Sequence, residues 1–355
     1  MATPKFPAVK QSFHVELKKR INDYFESTGT SLTGNKQLYI KAAILLSSFI
    51  LLYIHLVFFT PPVLWAILEC VILGLVVAGI GFNIMHDGAH GSFSKYKWVN
   101  NIAAMTLNLI GGSSFMWNVK HNVIHHAYTN VDGVDDDIDI QPWMRMSSTQ
   151  PKLMMHRYQH YYFWFLYSML YILWIFVLDY QKYFKQKIGD MPIKKMSASD
   201  HVIFWGFKLA YLFLFIAIPV YTVGFVSWLV GFLIFSVITG FIISIIFQLA
   251  HTVEHTAFPV PDETTGRLED EWAIHQLKTT ANFAPKSKLI SWFVGGLNYQ
   301  VEHHLFPKVS HVHYPAIRKI IKQACHEFNV PYVEYKKMRH AVVSHVMFLK
   351  QMGRA

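Results

Sequence analysis

The chain alternates between long apolar stretches and polar segments rich in histidine. Four stretches have the roughly 20 apolar residues that a helix needs to cross a bilayer, and they cover residues 39–59, 63–85, 201–223 and 225–250. Thr60-Pro61-Pro62 separates the first two, since proline interrupts a helix. The pattern predicts an all-α integral membrane protein with four transmembrane helices.

A fifth apolar stretch, residues 160–180, raises the question of how many segments cross. Lysines at positions 182–195 and basic residues at 18–20 indicate cytoplasmic loops, because positive charge collects on that side. If the polar segment before residue 160 is also cytoplasmic, both flanks of residues 160–180 lie on the same side of the membrane. A single crossing by this stretch is then excluded. We therefore expect residues 160–180 to lie in the membrane interface or to re-enter the membrane, which agrees with their many Tyr and Trp residues.

This topology divides the chain into a cytoplasmic N-terminal segment, 1–38, and one membrane domain, 39–355, whose last part, 251–355, is cytoplasmic. Both termini then face the cytoplasm. The membrane would be the inner membrane of a bacterium or the endoplasmic reticulum of a eukaryote.

Composition agrees with a membrane protein, since 53% of the residues are hydrophobic and only 15% are charged. The formal net charge of +10 is explained by cytoplasmic lysine and arginine, and it does not indicate nucleic acid as a partner.

Histidine is the unusual component, with 20 copies. Four groups combine two or three His, or Gln and His, at helical spacing, which places the side chains on one side of a helix. They are H-D-G-A-H (His86, His90), H-N-V-I-H-H (His121, His125, His126), H-T-V-E-H (His251, His255) and Q-V-E-H-H (Gln300, His303, His304). The predicted topology brings these groups to the cytoplasmic face, where they would form a His-rich cap with two metal ions.

Two metals follow from the number of imidazoles, since one ion accepts roughly four to six ligands. A nitrogen-rich site without cysteine favours iron, while zinc and copper remain open on ligand type alone. Asp87, Glu254 and Glu302 stand beside these histidines in the sequence, and we expect them to orient the imidazoles.

Three of the groups resemble the histidine boxes of the membrane fatty acid desaturases. They are H-D-G-A-H, H-N-V-I-H-H and Q-V-E-H-H-L-F-P, and Gln at the start of the third is similar to the front-end (Δ5/Δ6-type) branch. G-G-L-N-Y-Q-V-E-H-H-L-F-P and H-Q-L-K-T-T-A-N-F extend the resemblance. The resemblance implies metal ligands at His86, His90, His121, His125, His126, His255, His303 and His304. His251 would bind directly or through water, and Gln300 stands where other branches have histidine.

The resemblance also implies the activity: O2-dependent insertion of a cis double bond into a fatty acyl-CoA or acyl-lipid by two iron ions. Many front-end enzymes carry a fused haem domain with a His-Pro-Gly-Gly motif, and this sequence does not contain that motif. We therefore expect a separate electron donor, a ferredoxin or a free cytochrome with its reductase.

Two alternative functions remain open: a different reaction at the same metal site, and a membrane carrier protein that is not an enzyme. A hydroxylase of fatty acyl, sphingolipid or carotenoid chains would share the metal site but retain oxygen in its product. A membrane metal or electron carrier would place its histidines inside the spans, whereas here they lie at the predicted cytoplasmic ends.

Residues near the second box are candidates for other roles. Trp117, Asn118 and Lys120 precede it and are candidates for contact with the substrate head group, against packing as the simpler interpretation. The acidic run 132–139 lacks the glycine and glutamate of a calcium loop, so we interpret it as a solvated loop, with a supporting role at the metal site as the alternative.

Overall fold

The computed structural model describes residues 3–7 and 12–355; residues 1, 2 and 8–11 of the predicted N-terminal segment lie outside the described residues. The long helices are α1 (Phe13–Thr28), α2 (Lys36–Phe59), α3 (Val63–His90), α4 (Lys97–Leu109), α5 (residues 114–128), α6 (Met154–Lys185), α7 (Ala198–Val223) and α8 (Phe225–His251). Five shorter helices follow in the C-terminal part: α9 (Trp272–Thr279), α10 (Lys288–Phe293), α11 (Gln300–Leu305), α12 (Tyr314–Glu327) and α13 (Met338–Met352).

Strands contribute little to the described chain. The pair β1 (Lys187–Ile188) and β2 (Met191–Pro192) is antiparallel, and β3 (Ala281–Phe283) pairs in parallel with β4 (Val333–Tyr335). The prediction of an all-α membrane fold is confirmed.

Among the described residues, five helices are long and apolar enough to cross a membrane, namely α2, α3, α6, α7 and α8. Four contain the predicted spans, and α6 contains the stretch expected in the interface. The number of crossings stays a prediction, because length and composition do not decide it.

Local chemistry sets the ends of these helices. The Asn35 side chain accepts hydrogen bonds from the N–H groups of Gln37 and Leu38, capping α2. Thr60, in a left-handed conformation, and the two prolines after it turn the chain from α2 into α3. Gly224, with φ of 81°, makes the sharp joint between α7 and α8.

Glycines let α8 pack closely against two neighbours. A β-carbon on Gly74 of α3 would lie 2.7 Å from the Phe235 carbonyl oxygen, and one on Gly240 would lie 2.6 Å from the Ser168 carbonyl oxygen of α6. The Ser244 hydroxyl then donates to the Tyr167 carbonyl at 3.1 Å. α8 is therefore the central helix against which α3 and α6 are held.

Both ends of α6 contact elements on the histidine-bearing side of the fold. Near its start, Gln159 Nε2 donates to the Leu349 carbonyl of α13 at 2.8 Å. Near its end, Lys182 Nζ lies 2.8 Å from a carboxylate oxygen of Asp136, in the loop after α5. This arrangement is compatible with the interfacial position expected for residues 160–180.

The C-terminal helices and α1 form a second layer over the histidine-bearing ends of α3, α5 and α8. Apolar side chains of α1, including Leu17 and Ile21, are buried against Leu277 of α9 and Ile317 and Ile321 of α12. This apolar layer separates the histidines from solvent.

Candidate metal centre

Eight histidines from four helices converge in one buried cluster. α3 supplies His86 and His90, α5 supplies His121, His125 and His126, α8 ends on His251, and α11 supplies His303 and His304. Their ring nitrogens fall into three overlapping sets, each with atoms within 4.8 Å of one another: His86, His90, His121 and His303; His125, His251 and His304; and His126, His303 and His304.

The first two sets share no residue, and they meet on α11. The ring centroids of His303 and His86 are 4.4 Å apart, whereas His304 lies 4.7 Å from His251. His126 stands between the sets, with centroids 4.6 Å from His303 and 4.4 Å from His304. The cluster therefore contains two groups of imidazoles, and His121 and His125, one from each group, also converge with Asp137. The number of metal ions stays a prediction.

A π-helical turn gathers the three histidines of α5. Residues Val119–His125 are π-helical, and the wider turn brings positions four and five residues apart towards the same side. His121 accordingly lies 5.3 Å from His125 and 4.7 Å from His126, measured between ring centroids. A regular α-helix would turn one of the two away.

Unpaired ring nitrogens show that the cluster fits metal ions. Within residues 12–355, seven of the buried rings carry at least one nitrogen with no hydrogen-bond partner: His86, His90, His125, His126, His251, His303 and His304. Buried polar atoms are normally paired, and leaving so many unpaired carries a large desolvation cost. Coordinated metal ions would satisfy these nitrogens, so the residues fit a metal centre.

The opposite ring nitrogen of four histidines contacts a protein group that orients the ring. Nδ1 of His125 donates to the Asp135 carboxylate at 3.1 Å, and Nδ1 of His304 donates to the Gln276 amide oxygen at 2.8 Å. Two further contacts follow this rule: Nδ1 of His303 lies 3.0 Å from the Tyr314 hydroxyl, and Nδ1 of His251 lies 3.2 Å from the Thr279 carbonyl oxygen. In each case Nε2 points into the cluster, the arrangement that metal-binding histidines adopt.

Burial also sets the charge of these rings. It keeps the pKa of His126, His303 and His304 well below the ordinary histidine value, and the neighbouring imidazoles lower it further. These rings are neutral, as metal binding requires. His125 differs: burial lowers its pKa, but the carboxylates of Asp135 and Asp137 outweigh burial and raise it.

Asp87 anchors a buried polar chain that was not evident from the sequence. Its carboxylate accepts from the Ser310 hydroxyl at 2.8 Å and from His311 Nδ1 at 3.0 Å. Lys41 of α2 donates to His311 Nε2 at 3.0 Å and to the Asn83 amide oxygen at 2.7 Å. This chain of hydrogen bonds joins α2, α3 and the segment after α11. The carboxylate of Asp87 is 3.9 Å from His86 Nδ1. It therefore lies beside the His86 ring without a hydrogen bond to it.

His255 is not brought into the cluster, contrary to the expected ligand set. The H-T-V-E-H spacing would put it beside His251 only if the helix continued, and α8 ends at His251. His255 is exposed and its ring lies against Tyr335, 6.4 Å away. His251 takes the place that was expected for His255.

Glu254 and Glu302 do not orient imidazoles, which corrects a further expectation. Glu254 is exposed because it follows the end of α8. The Glu302 carboxylate is buried and accepts from Asn282 Nδ2 and from the Tyr332 hydroxyl, each at 2.7 Å. Asn282 also accepts from the Val301 N–H at 3.0 Å. Glu302 thus fixes α11 to β3, and only indirectly the histidines on α11.

Gln300 is buried at the start of α11, and neither atom of its amide has a partner among the described residues. It lies one turn before His303 and His304 on the same helix, so the amide is available to the metal centre.

Lys120 is held by acids beside the second box. Its ammonium is 2.7 Å from Asp137 and 3.3 Å from Asp136. Trp117 stacks on His121 with ring centroids 4.3 Å apart, while Asn118 is exposed. Of the acidic run, Asp135 is buried and accepts from Nδ1 of His125, and a carboxylate oxygen of Asp137 is 3.2 Å from the same nitrogen. These two residues are therefore not part of a purely solvated loop.

A cavity of about 800 Å³ opens onto the cluster. His121, His125 and His251 line it, with Phe247 of α8 and Trp174 of α6. A separate, smaller apolar recess shares Trp117 and Phe247 with this cavity and is also lined by His86, Tyr171 and Ile110. The cavity offers apolar space next to both groups of imidazoles.

Comparison with known proteins identifies relatives along nearly the whole chain. The family model for fatty acid desaturases matches residues 60–336. An sn-1 linoleoyl-lipid 6-desaturase from Arthrospira platensis is 39% identical over 344 residues, which cover 96% of this chain and 92% of the relative.

Two other relatives extend the comparison. An acyl-lipid (8-3)-desaturase from Physcomitrium patens is 37% identical, with 98% of this chain and 72% of the relative covered. An sn-1 linoleoyl-lipid 6-desaturase from Synechocystis sp. is 35% identical, with 98% and 97% covered.

Proposed function

The chain belongs to the fatty acid desaturase family as a front-end member, an oxidoreductase that desaturates fatty acyl lipids, and we propose that it works with two iron ions and O2. The observation that carries this proposal is the pair of imidazole groups that meet on α11. Nitrogen ligands without cysteine suit iron among the metals that activate O2.

The proposed ligands follow the two groups. His86, His90, His121 and His303 would hold one ion, His125, His251 and His304 the other, and His126 lies within reach of both. When bound, the iron pair would supply the oxidant that removes two hydrogens from an unactivated acyl chain. Gln300, with its free amide, would bind a ligand or water of the centre.

The protein's own part in the reaction is to position the chain and exclude water. Trp117, Phe247 and Trp174 form apolar walls beside the histidines. A bound acyl chain held against these walls would present one pair of carbons to the centre, which fixes where the double bond forms.

The substrate is proposed to be an acyl chain carried on a lipid, because the relatives' names specify linoleoyl-lipid or acyl-lipid. The histidine-bearing side is proposed to face the cytoplasm, together with both termini, as the charge distribution predicts. Electrons would come from a separate donor such as a ferredoxin or a free cytochrome.

The test is expression in a host that lacks the activity, followed by mass spectrometry of the fatty acids to locate any new double bond. We expect one new cis double bond close to the carboxyl end, and about two iron atoms per purified chain. A hydroxylated product would establish the alternative reaction instead. Absence of any product, with iron bound and a working reductase supplied, would refute the proposal.

A further inference from the structure

The two ends of the large cavity differ in chemistry. Along α6 the lining residues change from Leu166, Leu170 and Leu173 to Lys182. Lys182 contacts Asp136, which also contacts Lys120. Leu166 and Lys182 are sixteen residues apart on α6, so the cavity extends about 24 Å along that helix. This length suits an extended fatty acyl chain with its methyl end among the apolar residues.

The charged end is organised around Asp136. Its carboxylate is 2.8 Å from the Lys182 ammonium of α6 and 3.3 Å from the Lys120 ammonium of α5. All three side chains are largely shielded from solvent. An ammonium has three N–H donors, and within the described chain Lys182 has this single carboxylate partner. Lys182 lines the cavity, and it therefore retains N–H donors for a bound group.

We propose that Lys120 and Lys182, held in place by Asp136, bind the carbonyl end of the acyl substrate. The inference rests on the proposed function and adds to it the residues that recognise the ester. The shared chemistry is an ester or thioester carbonyl, in a glycerolipid or in acyl-CoA. The acids Asp136, Asp137, Asp139 and Asp190 offset the lysines around this end, so it suits an uncharged ester better than a cluster of phosphates.

This subsite explains why the double bond forms near the carboxyl end. Lys120 directly precedes His121, and both line the cavity. A carbonyl bound by Lys120 and Lys182 leaves only a few carbons between the ester and the metal centre. The rest of the chain then extends along Leu170 and Leu166 towards the apolar end. The distance from the ester, rather than from the methyl end, would select the reacting carbons.

The test compares Lys182→Gln with Lys182→Arg and with the control Lys194→Gln, all expressed in the host described above. Lys194 is exposed and does not line the cavity. Lys182→Gln should lower product roughly tenfold, as expected for one charge-assisted hydrogen bond, and should yield a mixture of double-bond positions. Lys182→Arg should keep a single position, and Lys194→Gln should match the wild type.

Iron content separates recognition of the ester from damage to the metal centre. All three variants should purify with the iron content of the wild type. Wild-type product and position in Lys182→Gln would overturn the inference, and so would loss of iron in that variant. If the wild type itself forms no double bond, it is the proposed function that fails.

The carrier is identified by giving membrane fractions either a labelled acyl glycerolipid or labelled acyl-CoA. The wild type should desaturate the glycerolipid, and Lys182→Gln should lose that reaction. If Lys182→Gln retains full activity on whichever carrier the wild type uses, the lysines do not bind the ester.

Discussion

His303 and His304 are consecutive residues, yet their rings are nearly perpendicular, at 86°, and face different groups of imidazoles. His303 joins His86, His90 and His121, while His304 joins His125 and His251. The two groups of imidazoles therefore meet at one peptide unit of α11. Packing of distant helices needs only to bring the other imidazoles to this shared edge.

Replacing His303 should abolish the reaction. His303→Ala is expected to lower bound iron and to remove all detectable product, because the ring belongs to two of the three sets of converging nitrogens. Iron is measured by atomic absorption on purified protein, and product by lipid analysis. His255→Ala is the matched control and should keep iron and activity close to the wild type. Equal losses in both variants would show that the ligand set derived from the fold is wrong.

Asp135 should affect metal binding through its hydrogen bond to His125, and its carboxylate also accepts from the N–H groups of Asn130 and Asp137. Asp135→Asn weakens the hydrogen bond to Nδ1 of His125, and changes of this kind typically cost 10- to 100-fold in metal affinity, so a loss of about that size is expected. A chelator competition followed by iron analysis measures it. Asp132→Asn, in the same loop but bonded to Thr149 and Gln150, should have little effect. An unchanged affinity in Asp135→Asn would contradict the orienting role.

Breaking the Lys41–His311–Asp87 chain of hydrogen bonds should destabilise the fold and also weaken metal binding by the group that contains His86 and His90. His311→Phe leaves a buried ammonium and a buried carboxylate without their bridge, which is expected to cost about 3 kcal/mol. Thermal unfolding in detergent gives the change in stability, and iron analysis gives occupancy. His313→Phe is a useful comparison, since His313 contacts the Thr33 carbonyl and not Asp87. A smaller loss of stability for His311→Phe than for His313→Phe would show that the Lys41–His311–Asp87 hydrogen bonds do not stabilise the fold.

Gly240 should be intolerant of any side chain. Gly240→Ala places a methyl group 2.6 Å from the Ser168 carbonyl oxygen, and the forced separation of α6 and α8 should cost about 1–3 kcal/mol. Gly206→Ala on α7 meets no atom within 4 Å and should leave the melting temperature unchanged or raise it slightly. Equal melting temperatures for the two variants would argue against close packing of α6 on α8.

Metal removal should loosen the cluster. Chelation leaves neutral imidazoles such as His303 and His304 buried with unpaired nitrogens, and bound metal stabilises the folded state by mass action. The melting temperature is expected to fall on chelation and to recover when ferrous iron is restored. A melting temperature that does not respond to iron would indicate that the cluster is not a metal centre.

Local patterns in the sequence predicted the helices and most of the cluster. The apolar stretches coincide with helices α2, α3, α7 and α8, and the box spacings bring His86, His90, His303 and His304 together. Both rest on contacts within a few residues, where side-chain period and hydropathy are informative.

The parts that could not be predicted depend on distant contacts or on small changes in helix geometry. His255 was expected at the centre because the resemblance implies a ligand there. The spacing from His251 would bring it in only on a continuous helix, and the end of α8 is not marked by proline or glycine. Tyr314, Gln276 and His311 support the histidines from other elements, and no local pattern marks them. The π-helical turn that gathers His121, His125 and His126 likewise has no simple signature in the sequence.

The link from Lys41 to His311 has a consequence for the order in which the protein matures. These residues are 270 positions apart in the chain, and chains emerge from the ribosome N-terminus first. The first two boxes are thus synthesised long before α11 and its supporting segment arrive. A nascent chain holds an incomplete set of imidazoles and an unbridged Lys41, so the buried histidine cluster is completed only after the C-terminal part has been synthesised.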